Sequence, residues 1–252
     1  MSAADRLGDV SDDEAFPAPD QIGDAAAGLV AIVRRQLPMR FYAGETWWAI
    51  FGSASLVRMC DTVESLLDLM AARRDADAQE TLRSLYEQVV AFAWIAINPD
   101  QRHQRWIDDA GAQMLELHRE GLAFEASVLT DDEVAVAEKA TRLPPLIERA
   151  AEADEYWGSR APRLHDGQPL SFRQLYLVVY RVGSGTTLES FITPKQRRII
   201  VDRARDHTLR WYALAAPLLA MALLIASQRF VWLDDDEIRA IADRATTALP
   251  AE

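Results

Sequence analysis

"RSLYEQVVAFAWIAINPDQRHQRWIDDA", residues 83–110, reads as two consecutive helices parted by a break. From Leu82 to Ile97 the segment is apolar on most sides, which marks a helix at the centre of a bundle rather than on its surface. "NPD" at 98–100 then restarts the chain. Asn98 is placed as an N-cap, Pro99 suits a first helical turn, and Asp100 suits the positive end of the helix dipole. The helix opened there should run to about Glu120 and end at Gly121.

Working outward, the same helical period recurs almost throughout. Residues 21–37 put Ile22, Leu29, Ile32, Val33 and Leu37 near one face, and Pro38 ends the run. Residues 45–74 carry a stripe through Trp47, Ile50, Phe51, Ala54, Val57, Met59, Val63, Leu66, Leu67 and Met70. "TDDE" at 130–133 is a capping box, Pro144 and Pro145 break the helix it opens, and a further segment runs to about Trp157. Residues 158–169 form a turn-rich loop, Ser171 caps a helix through Arg181, and "DDDE" at 234–237 caps the last one. Residues 190–206 fit a helix opened by Thr193–Pro194, with a short hairpin as the alternative. No set of alternating segments is sufficient to build a sheet. The expected architecture is all-α: one bundle of about seven to nine helices over residues 21–250, preceded by a disordered acidic tail at 1–20.

"WYALAAPLLAMALLIA", residues 211–226, carries no charge. Sixteen residues at about 1.5 Å each reach roughly 24 Å, short of the ~30 Å hydrocarbon core of a bilayer. A buried C-terminal helix over 207–228, kinked by Pro217, is the expectation.

The chain has 252 residues, half of them apolar, and a formal charge of −12. That charge excludes broad electrostatic attraction to nucleic acid, which needs clustered cations. One stretch runs the other way: Lys195, Arg197, Arg198, Arg203, Arg205 and Arg210 stand against Asp202 and Asp206, a candidate contact for a nucleotide or RNA. Cys60 is the single cysteine, so no internal disulfide forms. The opening residues are acidic where a secretory signal would be basic and then apolar. A cytoplasmic protein is expected.

Arg83, Glu87, Val90 and Trp94 fall at i, i+4, i+7 and i+11, on one helix face. An arginine and a glutamate therefore lie in line with buried residues. A charge at such a position needs partners, because burying it alone costs several kcal/mol. Asp108 and Asp109, on a helix returning antiparallel, could meet Arg83 or Arg181. Three readings stand side by side: a structural ion-pair network, which is preferred, an anion pocket lined by Arg83 and Arg181, or a solvated face. His103, His118, His165 and His207 are scattered, and no carboxylate–histidine pairing supports a metal. "DQRH" at 100–103 reads as a helix-start acid near an exposed histidine, and Cys60 as a quiet core thiol. No phosphate-loop, dinucleotide or nucleophile-elbow motif occurs, and no cofactor is expected.

The pieces "LRSLYEQVVAFAWIAINPD", "RWIDDA" and "YRVGSGTTLES" (180–190), with the apolar C-terminal helix, resemble in that order an uncharacterised helical domain family of bacteria and phages. The resemblance covers roughly residues 45–245. The family's arginine-to-histidine spacing is similar to that of HEPN domains, many of them metal-independent ribonucleases or nucleotide-binding modules. What it implies is a turn in which Tyr180 and Arg181 match the motif's tyrosine and arginine and Ser184 its serine, while Leu188 stands where the histidine belongs. Leucine can carry no proton, so the implied turn lacks its titrating group. His207 is a candidate imidazole from another helix. The expectation is a non-catalytic binding or regulatory protein, monomeric or homodimeric, engaging a nucleotide, RNA or a partner protein through Arg83, Glu87, Asp108, Asp109, Tyr180, Arg181, Ser184 and His207. The alternative is a HEPN-like ribonuclease effector of a defence or toxin–antitoxin system.

Overall fold

A computed structural model describes residues 19–36, 47–120, 129–162, 169–176, 179, 212–230 and 232–247. The fold is all-α. Its helices are α1 (Pro19–Arg34), α2 (Trp47–Ala71), α3 (Asp75–Ile97), α4 (Pro99–Arg119), α5 (Asp131–Ala137), α6 (Leu146–Trp157), α7 (Phe172–Tyr176), α8 (Ala215–Ala226) and α9 (Asp235–Thr247). The loop 163–168, the turn from Tyr180 to Ser190 and the stretch 190–206 lie outside the described residues.

Two apolar helices form the centre. Every residue of α8 is buried, and α3 is buried continuously from Val89 to Ala96. They contact each other directly, α2 and α6 cover α3, and α1, α2 and α9 cover α8. Each fully buried Leu, Val or Phe on these helices contributes about 1.5–3 kcal/mol. Charges fasten the outer layer: Arg34 on α1 pairs with Asp61 and Glu64 on α2, and Arg35 reaches Glu237 on α9 at 2.8 Å.

The structure changes several details of the sequence reading. The apolar helix expected over 207–228 has a turn at Ala213–Leu214, and α8 starts only at Ala215. Tyr212 is helical before that turn, and Pro217 sits in the first turn of α8, where its missing N–H costs no hydrogen bond within α8. No helix among the described residues is long and apolar enough to cross a membrane.

Asn98 occupies the N-cap position of α4 without capping it: its amide donates to Gln101 at 3.0 Å. The capping box at Thr130–Glu133 forms in both halves, and hydrogen bonds from the Thr130 backbone and hydroxyl hold the Glu133 carboxyl below its ordinary pKa. Ser171 accepts from the amide of Gln174 as expected, while Asp154 of α6 accepts from the amides of Phe172 and Arg173.

The first half of α2 buries a different face from the expected stripe. Trp48, Gly52, Ser53 and Leu56 are inside, whereas Ile50 is 60% exposed. Gly52 explains the rotation, since a Cβ there would lie 2.9 Å from Cζ of Phe230. A small residue admits the ring, and a pattern drawn through large apolar residues misses it. Helix α2 ends at Arg73, φ 55°, with Arg74 N–H bonded to the Leu69 carbonyl and Arg73 N–H to that of Met70. This is a Schellman end with arginine in the left-handed position usually given to glycine.

Candidate functional site

Helices α2 and α3 meet along a groove of about 330 Å³. Phe51, Ser55, Arg58 and Met59 line it from α2, spaced one helical turn apart. Ser84, Glu87, Gln88, Ala91 and Phe92 line it from α3 at the same spacing. Trp106 of α4 and Arg149 of α6 complete the described wall. Gln88 fixes the polar side by donating to the hydroxyls of Thr62 at 3.2 Å and Ser84 at 3.1 Å. A more open depression of about 430 Å³ continues past Arg58 and Ser84 towards Asp61, Ser65, Glu80 and Thr81.

Arg149 is the half-buried cation of the groove. Its Nε donates to the Pro144 carbonyl at 3.1 Å, and its guanidinium carbon lies 5.9 Å from the Trp106 ring. Burial presses its pKa below the ordinary arginine value, and the charges of Asp109 and Glu87 oppose that shift. Glu87 is exposed along the groove's edge. Partial desolvation still raises the pKa of its carboxyl, against the pull of Arg149 and Arg83. An anchored guanidinium beside a carboxylate, above an apolar floor of Met59 and Phe92, provides oriented polar groups on a greasy wall. Small-molecule sites have that composition.

The expected site residues are distributed as follows. Glu87 lies in the groove. Arg83 is not among its described lining residues; it pairs with Glu80 on its own helix at 3.0 Å, with its side chain 23% exposed. Asp109 is buried and accepts from Gln113 at 2.7 Å and from the Leu143 amide at 3.0 Å. Its cationic partner is Arg142 at 3.9 Å rather than Arg83. Asp108, half-buried, accepts from Gln104 at 2.9 Å. Tyr180, Arg181, Ser184 and His207, and the basic stretch Lys195–Arg210, lie outside the described residues.

Charge at the edge of the core is answered by charge. Arg102 bonds Glu152 at 2.8 Å and the Trp94 carbonyl at 2.9 Å, while Glu152 accepts from the Trp94 indole at 2.9 Å. His103, expected to be exposed, is half-buried and stacked on Trp47 with ring centres 3.3 Å apart, and burial lowers its pKa. Cys60 is fully buried on α2, and desolvation pushes its thiol up to about 12. No group of three or more His, Cys, Asp or Glu among the described residues could hold a metal ion.

Sequence reasoning missed Arg149, Arg58, Ser55, Gln88 and Trp106. A signal for Arg149 exists: Leu146, Arg149, Ala150, Ala153 and Trp157 share one face of α6, so its cation stands in an apolar stripe as Arg83 does.

No curated protein and no solved structure matches the chain. The model of a family of unknown function, DUF5677, matches residues 50–187, which run from α2 through α7 and contain every described lining residue of the groove. Since that match spans more than half of the chain, the protein belongs to the DUF5677 family.

Proposed function

We propose that this protein is a non-catalytic, single-domain binding or regulatory protein of the cytoplasm. Its ligand occupies the groove between α2, α3 and α6. The observation that carries the reading is Arg149: a guanidinium fixed by the Pro144 carbonyl in the wall of a 330 Å³ groove whose floor is apolar. Holding a cation part-way out of water is costly, and a groove of this size lies at the small end of the ~300–1,000 Å³ typical of ligand sites.

The test is a ligand-observed NMR screen with fragments of mixed charge, run on the protein and on Ser84→Trp, which fills the groove from an exposed position. Fragments that bind the protein and not the variant are expected. A fragment set with no such dependence contradicts the reading.

The ribonuclease alternative draws on the HEPN-like motif residues Tyr180, Arg181 and Ser184, and the family match ends at residue 187, within that stretch and before Leu188. Leu188 in place of histidine weighs against it, because proton transfer at a 2′-hydroxyl needs a titrating group. Cleavage of structured RNA in EDTA, abolished by Arg181→Ala, would establish the enzyme and displace the binding reading.

A further inference from the structure

We infer that the groove selects a small molecule bearing one planar ring and one anionic group; this rests on the groove being a ligand site. The anionic group follows from Arg149. With Nε committed to the Pro144 carbonyl, the guanidinium is held in one orientation, and its remaining N–H donors form the planar fork that suits a carboxylate or phosphate. Partial burial strengthens such a contact relative to one made in open water.

The ring follows from the walls. Half-buried Phe51 and Trp106 present their rings to the groove, with the buried Met59, Ala91 and Phe92 beneath. Trp106 lies within reach of the same guanidinium, so a ring against it keeps its anionic substituent near Arg149. The volume of about 330 Å³ suits one ring system with a short side arm.

The limit to a single anionic group follows from the acids. Glu87 lines the groove beside Arg149, and Asp61 and Glu80 line the depression into which a longer ligand would extend. Arg58 borders both spaces, so the described lining offers two arginines against three carboxylates. Asp61 and Glu80 already hold Arg34 and Arg83, so those two arginines are committed, and a triphosphate carries more negative charge than Arg58 and Arg149 answer. A single carboxylate or monophosphate next to Arg149 avoids that excess.

The experiment is saturation-transfer NMR with five probes: 3-phenylpropionate, its neutral amide, phenethylammonium, AMP and ATP. The expected result is binding of 3-phenylpropionate or AMP, with the amide and the ammonium at least ten-fold weaker and ATP weaker than AMP. Preference between 3-phenylpropionate and AMP identifies the anionic group as carboxylate or phosphate. Arg149→Lys should weaken the anion several-fold and Arg149→Met more than ten-fold. Ser84→Trp should abolish binding and serves as the control if Arg149→Met fails to fold. Groove-dependent binding of the amide or ammonium at equal strength, or of ATP above AMP, overturns this inference and leaves the groove reading intact. No probe or fragment binding in a Ser84→Trp-sensitive manner overturns both.

Discussion

The indole N–H of Trp94 donates to Oε2 of Glu152 at 2.9 Å, joining the central helix α3 to α6. Trp94 is one of the largest fully buried side chains, and its polar atom would be orphaned without that acceptor. The same carboxylate pairs with Arg102, whose guanidinium lies 4.6 Å over the Trp94 ring. One glutamate thus serves a buried donor and a partly buried cation at once.

Removing it should cost accordingly. Glu152→Ala is expected to lower unfolding free energy by about 2–3 kcal/mol, the range for a charged hydrogen bond plus an unsatisfied buried donor. Glu152→Gln keeps an acceptor for the indole and should cost about half as much. Urea denaturation compares them, and equal losses for the two variants would argue against the bond.

Asp109 closes the junction between α4 and the segment before α6 by accepting from the Leu143 amide. Asp109→Ala is expected to destabilise by about 2–3 kcal/mol, and Asp109→Asn by less because its carbonyl can still accept. Amide exchange at Leu143 should quicken in the alanine variant and stay slow in the asparagine one.

Arg73 offers the opposite sign. A left-handed conformation costs a non-glycine residue roughly 1–2 kcal/mol, and glycine's extra freedom in the unfolded chain returns part of that. Arg73→Gly should therefore stabilise by up to about 1 kcal/mol, read as a higher denaturation midpoint at unchanged slope. A loss of stability would mean that the Arg73 side chain contributes more than its backbone costs.

Glu87 sets a pH dependence. Its folded pKa is raised, so between the ordinary carboxylate value and the raised one the folded state binds more protons than the unfolded state. Stability contributed by this group falls as pH rises through that window and stays lower above it. Glu87→Gln should melt at the same temperature as the parent near pH ~3, below the ordinary carboxylate value, and slightly above it near pH ~7. A variant that melts lower at neutral pH would show that attraction to Arg149 and Arg83 outweighs desolvation.

Much of the fold was legible because it rests on periodicity. The apolar run of α3 after Leu82, the uncharged run of α8 and the capping box at Thr130 each announce a helix through local sequence alone. What escaped depends on partners distant in sequence. Gly52 turns α2 because Phe230 needs its space, and nothing local to residues 45–74 encodes that ring. Helix α2 ends at an arginine where glycine would have signalled the stop.

The site was legible in part. A charge in an apolar stripe drew attention to Glu87, and the same rule applied to α6 would have found Arg149. Pairing could not be read: which cation answers Asp109 depends on where the loop carrying Arg142 returns, not on spacing along α4.

A fragment-soaked crystal decides whether the α2–α3–α6 groove holds a ligand on Arg149. Density is expected for a ring against Phe51 and Trp106, with an anionic group within hydrogen-bond distance of the Arg149 Nη atoms. Density confined to other surfaces, or a groove closed by the chain's own side chains, would rule the ligand site out.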